Sequence, residues 1–491
     1  MHEKEDKDTK EVSGLLDGKS VSRRDFLKVA GVAGAAVGLG AGLGGVIAAC
    51  GGTAATTTTT AAAPATTVTT AAGATTTVTA AAEAGRDIKI GLVSPKTGAL
   101  ALFAKADDWW TNFAQKTAVP DGIVGGDGKT HKFAFEVQDS QSDSNRAAQV
   151  AGDLITNTKV DIIMCSGSPD TVNPVADQAE ALGCPCISNF VPWQPFVYGR
   201  GGTPDKPFKW TYTQAIGLED IVGNFINMWG QVTTNKKVGY LFANDSDGVA
   251  WTDAKTGLPP AVTAAGYTGF LSDLYPVGLE DYTKYISDFK KNGCEICCGT
   301  IITPDFTNFW KQAVQQGYNP KVLTIGKALL FPQTLDAIGS IAYNTTVEGV
   351  WQPTWPYKDS ITGKSCQELA DDYMAATGEE WTAPIAQYAK FEWAVDVFKR
   401  VTNLDDKEDV ISQVKTTKLD TCLGPLDFTA PIDMTDLNKS KHPVENVYKV
   451  PVGGNQWVKG TKFAFEPQEV SNVNNPGLPT AGTVQPMAYG A

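Results

Sequence analysis

The run Val160-Asp161-Ile162-Ile163-Met164-Cys165 stops at Ser166-Gly167-Ser168-Pro169, and this junction decides the fold. A short, nearly continuous apolar run ended by turn residues reads as a strand. The segment after it carries Val175, Ala176 and Leu182 and reads as a helix. Strand, tight turn and helix together make half of a βαβ unit. The same pattern extends outward in both directions. Upstream, Ile88-Lys89-Ile90-Gly91-Leu92-Val93 ends at Ser94-Pro95 and feeds a helix through Trp109, Trp110 and Phe113. A second strand, 131–137, ends at Asp139-Ser140. The helix 145–156 follows, capped by Asp143 or Ser144, with Ala148, Val150, Ala151, Leu154 and Ile155 at helical spacing. Downstream, Cys184-Pro185-Cys186-Ile187-Ser188 is the fourth strand. Strands alternating with helices predict a parallel sheet with crossover helices.

The rhythm restarts at Lys237-Val238-Gly239-Tyr240-Leu241-Phe242, with strands expected at 269–271, 294–298 and 322–325 and helices at 282–292 and 306–316. Two such units of similar size predict an α/β protein with two Rossmann-like lobes. Ligands of these sheets bind beyond the carboxyl ends of the strands, so two lobes place two loop sets around one cleft. The remaining chain supplies a strand at 347–351, helices at 365–377 and 384–402, Gly424-Pro425-Leu426-Asp427-Phe428 and a strand at 446–450, then turns Gly/Pro-rich. These late elements must pack on sheets already begun.

The chain has 491 residues, is 42% hydrophobic and 19% charged, and carries a net charge of −13. The acidic balance argues against nucleic acid as a partner. His2, His131 and His442 are the only three histidines, which disfavours a His-based catalytic centre or a multi-His metal site. Thr362-Gly363-Lys364-Ser365 lacks the leading glycine of a P-loop. The Asp245/Asp247/Gly248 cluster has no glutamate to close a calcium loop. No catalytic residue, metal or cofactor is assigned.

The first fifty residues are an address. Ser22-Arg23-Arg24-Asp25-Phe26-Leu27-Lys28 has the form of a twin-arginine export signal, with Arg23 and Arg24 at its centre. An uncharged Gly/Ala/Val run leads to Ile47-Ala48-Ala49-Cys50, which looks like the lipobox of a bacterial lipoprotein. Cleavage before Cys50 would leave that cysteine to carry acyl chains, and two or more chains anchor stably. An uncleaved anchor helix is the alternative. The signal peptide is expected over 1–49. A Thr/Ala-rich disordered tether, with no apolar face to bury, is expected over 50–85. Eight cysteines besides Cys50 enter an oxidising compartment, and Cys366 with Cys422 is the pairing expected.

Ile90-Gly91-Leu92-Val93-Ser94-Pro95-Lys96-Thr97-Gly98, Asp139-Ser140-Gln141-Ser142-Asp143, Cys165-Ser166-Gly167-Ser168 and Ile187-Ser188-Asn189 follow one another in the first half. Asp281-Tyr282-Thr283, Gly299-Thr300, Gly349-Val350-Trp351 and Gly424-Pro425-Leu426 follow in the second. By these stretches the chain, from Arg86 to Lys459, resembles the leucine/isoleucine/valine-binding protein family, the type I periplasmic solute-binding proteins of ABC transporters. The resemblance implies two lobes joined by a three-crossover hinge, with the first at 86–213 plus 345–438 and the second at 214–344 plus 439–491. It further implies a monomer that captures a small-molecule solute and hands it to separate ABC permease and ATPase subunits, tethered to the membrane by lipid.

Candidate ligand-binding residues follow from the loops at the strand ends. Ser166, Gly167 and Ser168 combine free N–H groups at a helix start with hydroxyls, which suits a carboxylate. The resemblance gives Ser166 that role, although a serine there also suits helix capping. Asn189, Phe190 and Trp193 replace the small residues the family often carries, and Phe103 sits where it often has an aromatic lid. An aromatic lining favours a planar or apolar ligand body. Lys327 falls near the family's acidic partner for the ligand ammonium and cannot take that role; it could hold an anion or carbonyl. Asp247 is a candidate replacement, and Thr303 a further contact. The ligand expected is a carboxylate-bearing solute, like a branched-chain amino acid or an aromatic acid. A lipoprotein receptor that reports ligand to a membrane signalling protein is the alternative, and an exported amidase or hydrolase the third reading.

Overall fold

The computed structural model describes residues 82–489. The export signal, Cys50 and the tether up to residue 81 lie outside them. Within the compact unit Ala80–Ala491, thirteen of the strands form two large sheets. The first is wholly parallel, in the order Val447–Lys449, Thr211–Ile216, Cys186–Pro192, Ile162–Ser166, Ile88–Ser94 and Phe133–Asp139. Ile162–Ser166 is buried along its whole length, as its unbroken apolar pattern requires. The helices Ser144–Asp153 and Pro169–Leu182 connect these strands. The first is capped by Asp143, whose carboxylate accepts from the Arg146 N–H at 2.7 Å.

The second sheet runs Phe465–Ser471, Gly453–Lys459, Thr346–Gly349, Val322–Lys327, Ile296–Ile301, Lys237–Phe242 and Thr268–Leu271. Five of these strands are parallel, and Gly453–Lys459 and Phe465–Ser471 add an antiparallel edge. That edge falls where the sequence reads as Gly/Pro-rich turn.

The molecule is therefore α/β with parallel sheets in two lobes. The chain passes between the sheets three times: after Ile216, after Gly349 and after Lys449. These points correct the expected boundaries. Thr346–Gly349 pairs with Val322–Lys327 in the second sheet, not the first. Val447–Lys449 pairs with Thr211–Ile216 in the first, not the second. A strand's lobe is set by its pairing partner, which the local sequence does not reveal.

The returning segment packs on the first lobe. It comprises the helix Cys366–Thr377, a 3-10 turn Ala383–Tyr388 running into the helix Ala389–Arg400, the helix Lys407–Lys415 and a hairpin of Lys418–Thr421 with Gly424–Asp427. Ser365 and Glu368 cap the first of these reciprocally. The expected Cys366–Cys422 bridge is not formed: all eight described cysteines are free and buried. The Cys366 thiol instead donates to the Cys422 carbonyl at 3.4 Å.

Candidate functional site

The Ile162–Ser166 strand delivers Gly167 and Ser168 to the start of the helix Pro169–Leu182. Gly167 has φ +111°, a backbone conformation that a side chain would strain. Ser168 occupies the N-cap, yet its hydroxyl makes no capping bond. That hydroxyl is buried without any partner. Ser168 lines a small cavity of about 30 Å³.

The cavity lies between the carboxyl ends of the two sheets. The first lobe contributes Phe103, Gly167, Ser168, Phe190, Pro192 and Ile216. The second contributes Ile221, Asp247, Trp251, Thr300, Lys327, Leu330 and Glu348. Its walls are thus apolar and aromatic around a few polar groups, the usual make-up of a small-molecule site. The free space is small, and the two lobes meet beside it, so they stand closed in this structure. They touch on both sides of the cavity. On one side Phe103 meets Phe331 edge to face at 5.0 Å, in a cluster with Leu100 and Ile302. On the other, the Ser246 hydroxyl donates to Asp170 Oδ1 at 2.6 Å.

The polar groups of the second lobe form one charged cluster. Lys327 Nζ lies 2.5 Å from Asp247 Oδ2 and 3.3 Å from Asp245 Oδ2. Burial works against the lysine's charge, but the two carboxylates outweigh it and raise its pKa. Burial pushes Asp247 up to about 6, with Lys327 opposing. Glu348 is also buried, which pushes it up to about 7. Its Oε2, the Thr300 hydroxyl and Asp247 Oδ1 have no hydrogen-bond partner. A methyl built on Gly326 would come within 3.1 Å of both Thr300 Oγ1 and Glu348 Oε2, so these two atoms converge on one spot.

Two cavity residues hold strained backbones. Phe190 has φ +64° and Lys327 φ +62°, in the left-handed region that bulky residues avoid. Such conformations cost on the order of 1–3 kcal/mol each and persist where surrounding structure imposes them, often at ligand clamps.

Six of the ten candidate residues therefore line the cavity: Phe103, Gly167, Ser168, Phe190, Asp247 and Lys327. The other four lie off it. The Ser166 hydroxyl turns behind the loop, donating to Gln387 Oε1 at 2.5 Å and accepting from Lys390 Nζ at 2.6 Å. Asn189 is buried within its strand. Trp193 packs in the first-lobe core and its indole N–H donates to Glu219 at 3.2 Å. Thr303 starts the helix Thr303–Gln315 and its hydroxyl pairs with that of Thr334 at 3.0 Å.

Sequence reasoning missed Glu348, Thr300 and Trp251 as lining residues. Glu348 carried a signal: an acid inside the buried strand Thr346–Gly349 needs a reason. Thr300 sits at the end of the Ile296–Ile301 strand, where such sheets bind ligands.

Comparisons with known proteins agree with this architecture. A family model described as "Periplasmic binding protein" matches residues 87–450, and one for the twin-arginine translocation pathway signal sequence matches residues 20–40. The chain is 23% identical over 305 residues to Leu/Ile/Val-binding protein homolog 8 of Brucella abortus (strain 2308), covering 60% of this chain and 71% of that one. Among solved structures, it is similar to the isoleucine complex of the branched-chain amino acid transporter substrate binding protein LivJ from Streptococcus pneumoniae. That likeness has a TM-score of 0.60 and 15% identity over 78% of this chain and 99% of that one. It is also similar to a solute binding protein of an ABC transporter from Rhodopseudomonas palustris BisB5 in complex with 3,4-dihydroxybenzoic acid. There the TM-score is 0.62 and the identity 18%, over 80% of this chain and 99% of that one.

Proposed function

Because the chain belongs to the periplasmic binding protein family, we propose that it is an extracytoplasmic solute-binding lipoprotein of an ABC importer. It takes a small carboxylate-bearing solute between its two lobes and presents the closed form to a membrane permease and its ATPase. The observation that carries this reading is the buried, unpartnered hydroxyl of Ser168, which with Gly167 stands at the start of the Pro169–Leu182 helix and lines an aromatic-walled cavity between the sheets. A helix N-terminus attracts negative charge, and a hydroxyl left without a partner in a buried site is a donor waiting for one.

The rest of the site fits an amphiphilic acid. Phe103, Phe190 and Trp251 give the ligand body an apolar enclosure. Asp247, balanced by Lys327, and Glu348 with Thr300 offer acceptors and donors to a second polar group, such as an amine or a ring hydroxyl. Relatives of this architecture have been solved with isoleucine and with a dihydroxybenzoic acid, which span these two chemistries. Export follows from the twin-arginine signal over residues 20–40, and anchoring from acylation of Cys50.

The lobes must part to admit a solute, because they already meet beside the cavity. Contacts to both lobes at once then favour closure, and a ligand that touched only one lobe would leave that equilibrium unmoved. The test is a thermal-shift panel of aliphatic amino acids, aromatic amino acids and hydroxybenzoates against the full chain. One carboxylate class raising the melting temperature supports the reading; a panel with no effect removes it.

A further inference from the structure

Three lysines of the described residues are almost wholly buried: Lys327, Lys390 and Lys449. Two have carboxylates within ion-pair distance. Lys327 has Asp245 and Asp247, and Lys449 has Glu219 and Asp220 at 2.6 and 2.8 Å. Lys390, on the helix Ala389–Arg400, has none among the described residues. Its ammonium donates instead to the Ser166 hydroxyl at 2.6 Å and to Gln387 Oε1 at 3.4 Å, and lies 5.7 Å from the centre of the Trp110 ring. The one carboxylate facing it, Asp107, lies beyond ion-pair distance and is held by other partners, so the charge is only partly balanced, and such a lysine calls for a function.

Its neighbours point to one. Ser166 begins the loop whose next two residues, Gly167 and Ser168, line the cavity. Gln387 accepts from Ser166 and passes a hydrogen bond from Nε2 to the Phe103 carbonyl at 2.6 Å, so the same network holds a second cavity residue. The network lies on the first-lobe side only, beneath the atoms that a bound carboxylate would meet.

We propose that Lys390 supplies the positive charge that balances the ligand's carboxylate, acting through Ser166 from behind the Gly167–Ser168 loop. The inference rests on the solute-binding reading above and deepens it. Lys390 is a positioning and charge-balancing residue: it does not line the cavity. The bound anion completes the balance that Asp107 supplies only in part.

The groups facing Lys390 come from each element packed on it. Asp107 lies at the start of the helix Asp107–Phe113, where its carboxylate is held by the Ser94 hydroxyl at 2.5 Å and the Trp110 indole at 2.8 Å. Cys165 and Cys186 face it from adjacent strands. Burial pushes Lys390 down to about 8, with Asp107 opposing. The Cys186 thiol is pushed up by its hydrogen bond with Cys165 and by burial, so it stays neutral. A carboxylate arriving nearby stabilises the charged lysine and draws a proton onto it.

The test is calorimetric titration of the full chain with 4-hydroxybenzoate and with L-isoleucine, from pH 6.5 to 8.5, below the ionisation of the ligand's own phenol or ammonium, in buffers of differing ionisation enthalpy. For whichever acid binds, affinity should be flat below about pH 8 and fall towards tenfold per pH unit above it, with uptake of about half a proton per ligand near pH 8. Lys390→Met should bind about tenfold more weakly at pH 7, with no pH slope and no proton uptake. If Lys390→Met does not fold, wild-type proton uptake decides alone. Wild type binding without pH slope or proton uptake, or Lys390→Met keeping both, overturns the inference and leaves the binding reading standing. If neither acid nor any other member of the panel binds at any pH, the binding reading fails and this one with it.

Discussion

Lys327 and Asp247 form an ion pair at 2.5 Å on the second-lobe side of the cavity, with Asp245 3.3 Å from the same ammonium. The pair explains why a lysine stands where an acid was expected for an amine ligand. It balances Asp247 and leaves Asp247 Oδ1, Glu348 Oε2 and the Thr300 hydroxyl with spare hydrogen-bonding capacity. It also helps to impose the strained backbone of Lys327.

Removing one partner of this pair should be worse than removing both. Lys327→Met leaves two buried or half-buried carboxylates facing each other and should cost about 3–5 kcal/mol. Adding Asp247→Asn should recover at least half of that. A denaturant-unfolding cycle in which the double variant is as unstable as the sum of the singles would contradict the pairing.

Glu348 should make stability fall as pH rises. Its carboxyl is raised from 4.5 to about 7 by burial, so between those values the folded chain holds a proton that the unfolded chain has lost. The penalty is absent below about pH 4.5 and complete above about pH 7. Glu348→Gln should therefore raise stability at pH 8, by an amount on the order of 3 kcal/mol at most, and change little at pH 4.5. Melting curves in which the variant and wild type differ equally at both pH values would contradict this account.

The Ser246–Asp170 hydrogen bond joins the lobes outside the ligand cavity. Ser246→Ala should leave the cavity lining intact yet loosen closure, weakening ligand affinity by about two- to fivefold, as expected for one exposed hydrogen bond. Small-angle scattering should show a larger radius of gyration for the unliganded variant. Unchanged affinity and unchanged scattering together would show that the contact does not favour closure.

Cys50 should carry the membrane anchor. Cys50→Ala should abolish incorporation of labelled fatty acid and release the protein from the membrane fraction without altering its ligand binding. Label retained in the variant would place the acylation elsewhere.

The sequence was most legible where the signal is local. The apolar run through Met164 and the Ser-Gly-Ser turn place the first-lobe loop directly, because strand, turn and helix follow one another within twenty residues. The late edge strand was hidden by its own glycines. A methyl at Gly453 would collide with the Glu469 carboxylate, so that glycine makes room for a neighbouring strand's side chain rather than a turn. Lys390 could not be found from spacing at all: its contact with Ser166 spans 224 residues. Ser166 itself was misplaced for the same reason, since the partner that turns it away from the cavity arrives only with the returning segment. Lys327 reads as a solvated lysine until the strand end brings Asp245 and Asp247 around it.

Carboxylate recognition in the gap between the lobes is what the proposed function needs. Calorimetric titration of the full chain with the solute that shifts its melting temperature and with that solute's neutral carboxamide, repeated on Ser168→Ala, decides it. The account predicts saturable one-to-one binding of the acid, at least about tenfold weaker binding of the amide, and a similar loss for the acid in Ser168→Ala, as for a charge-assisted hydrogen bond removed. Equal affinity for acid and amide, with Ser168→Ala indistinguishable from wild type, would contradict it.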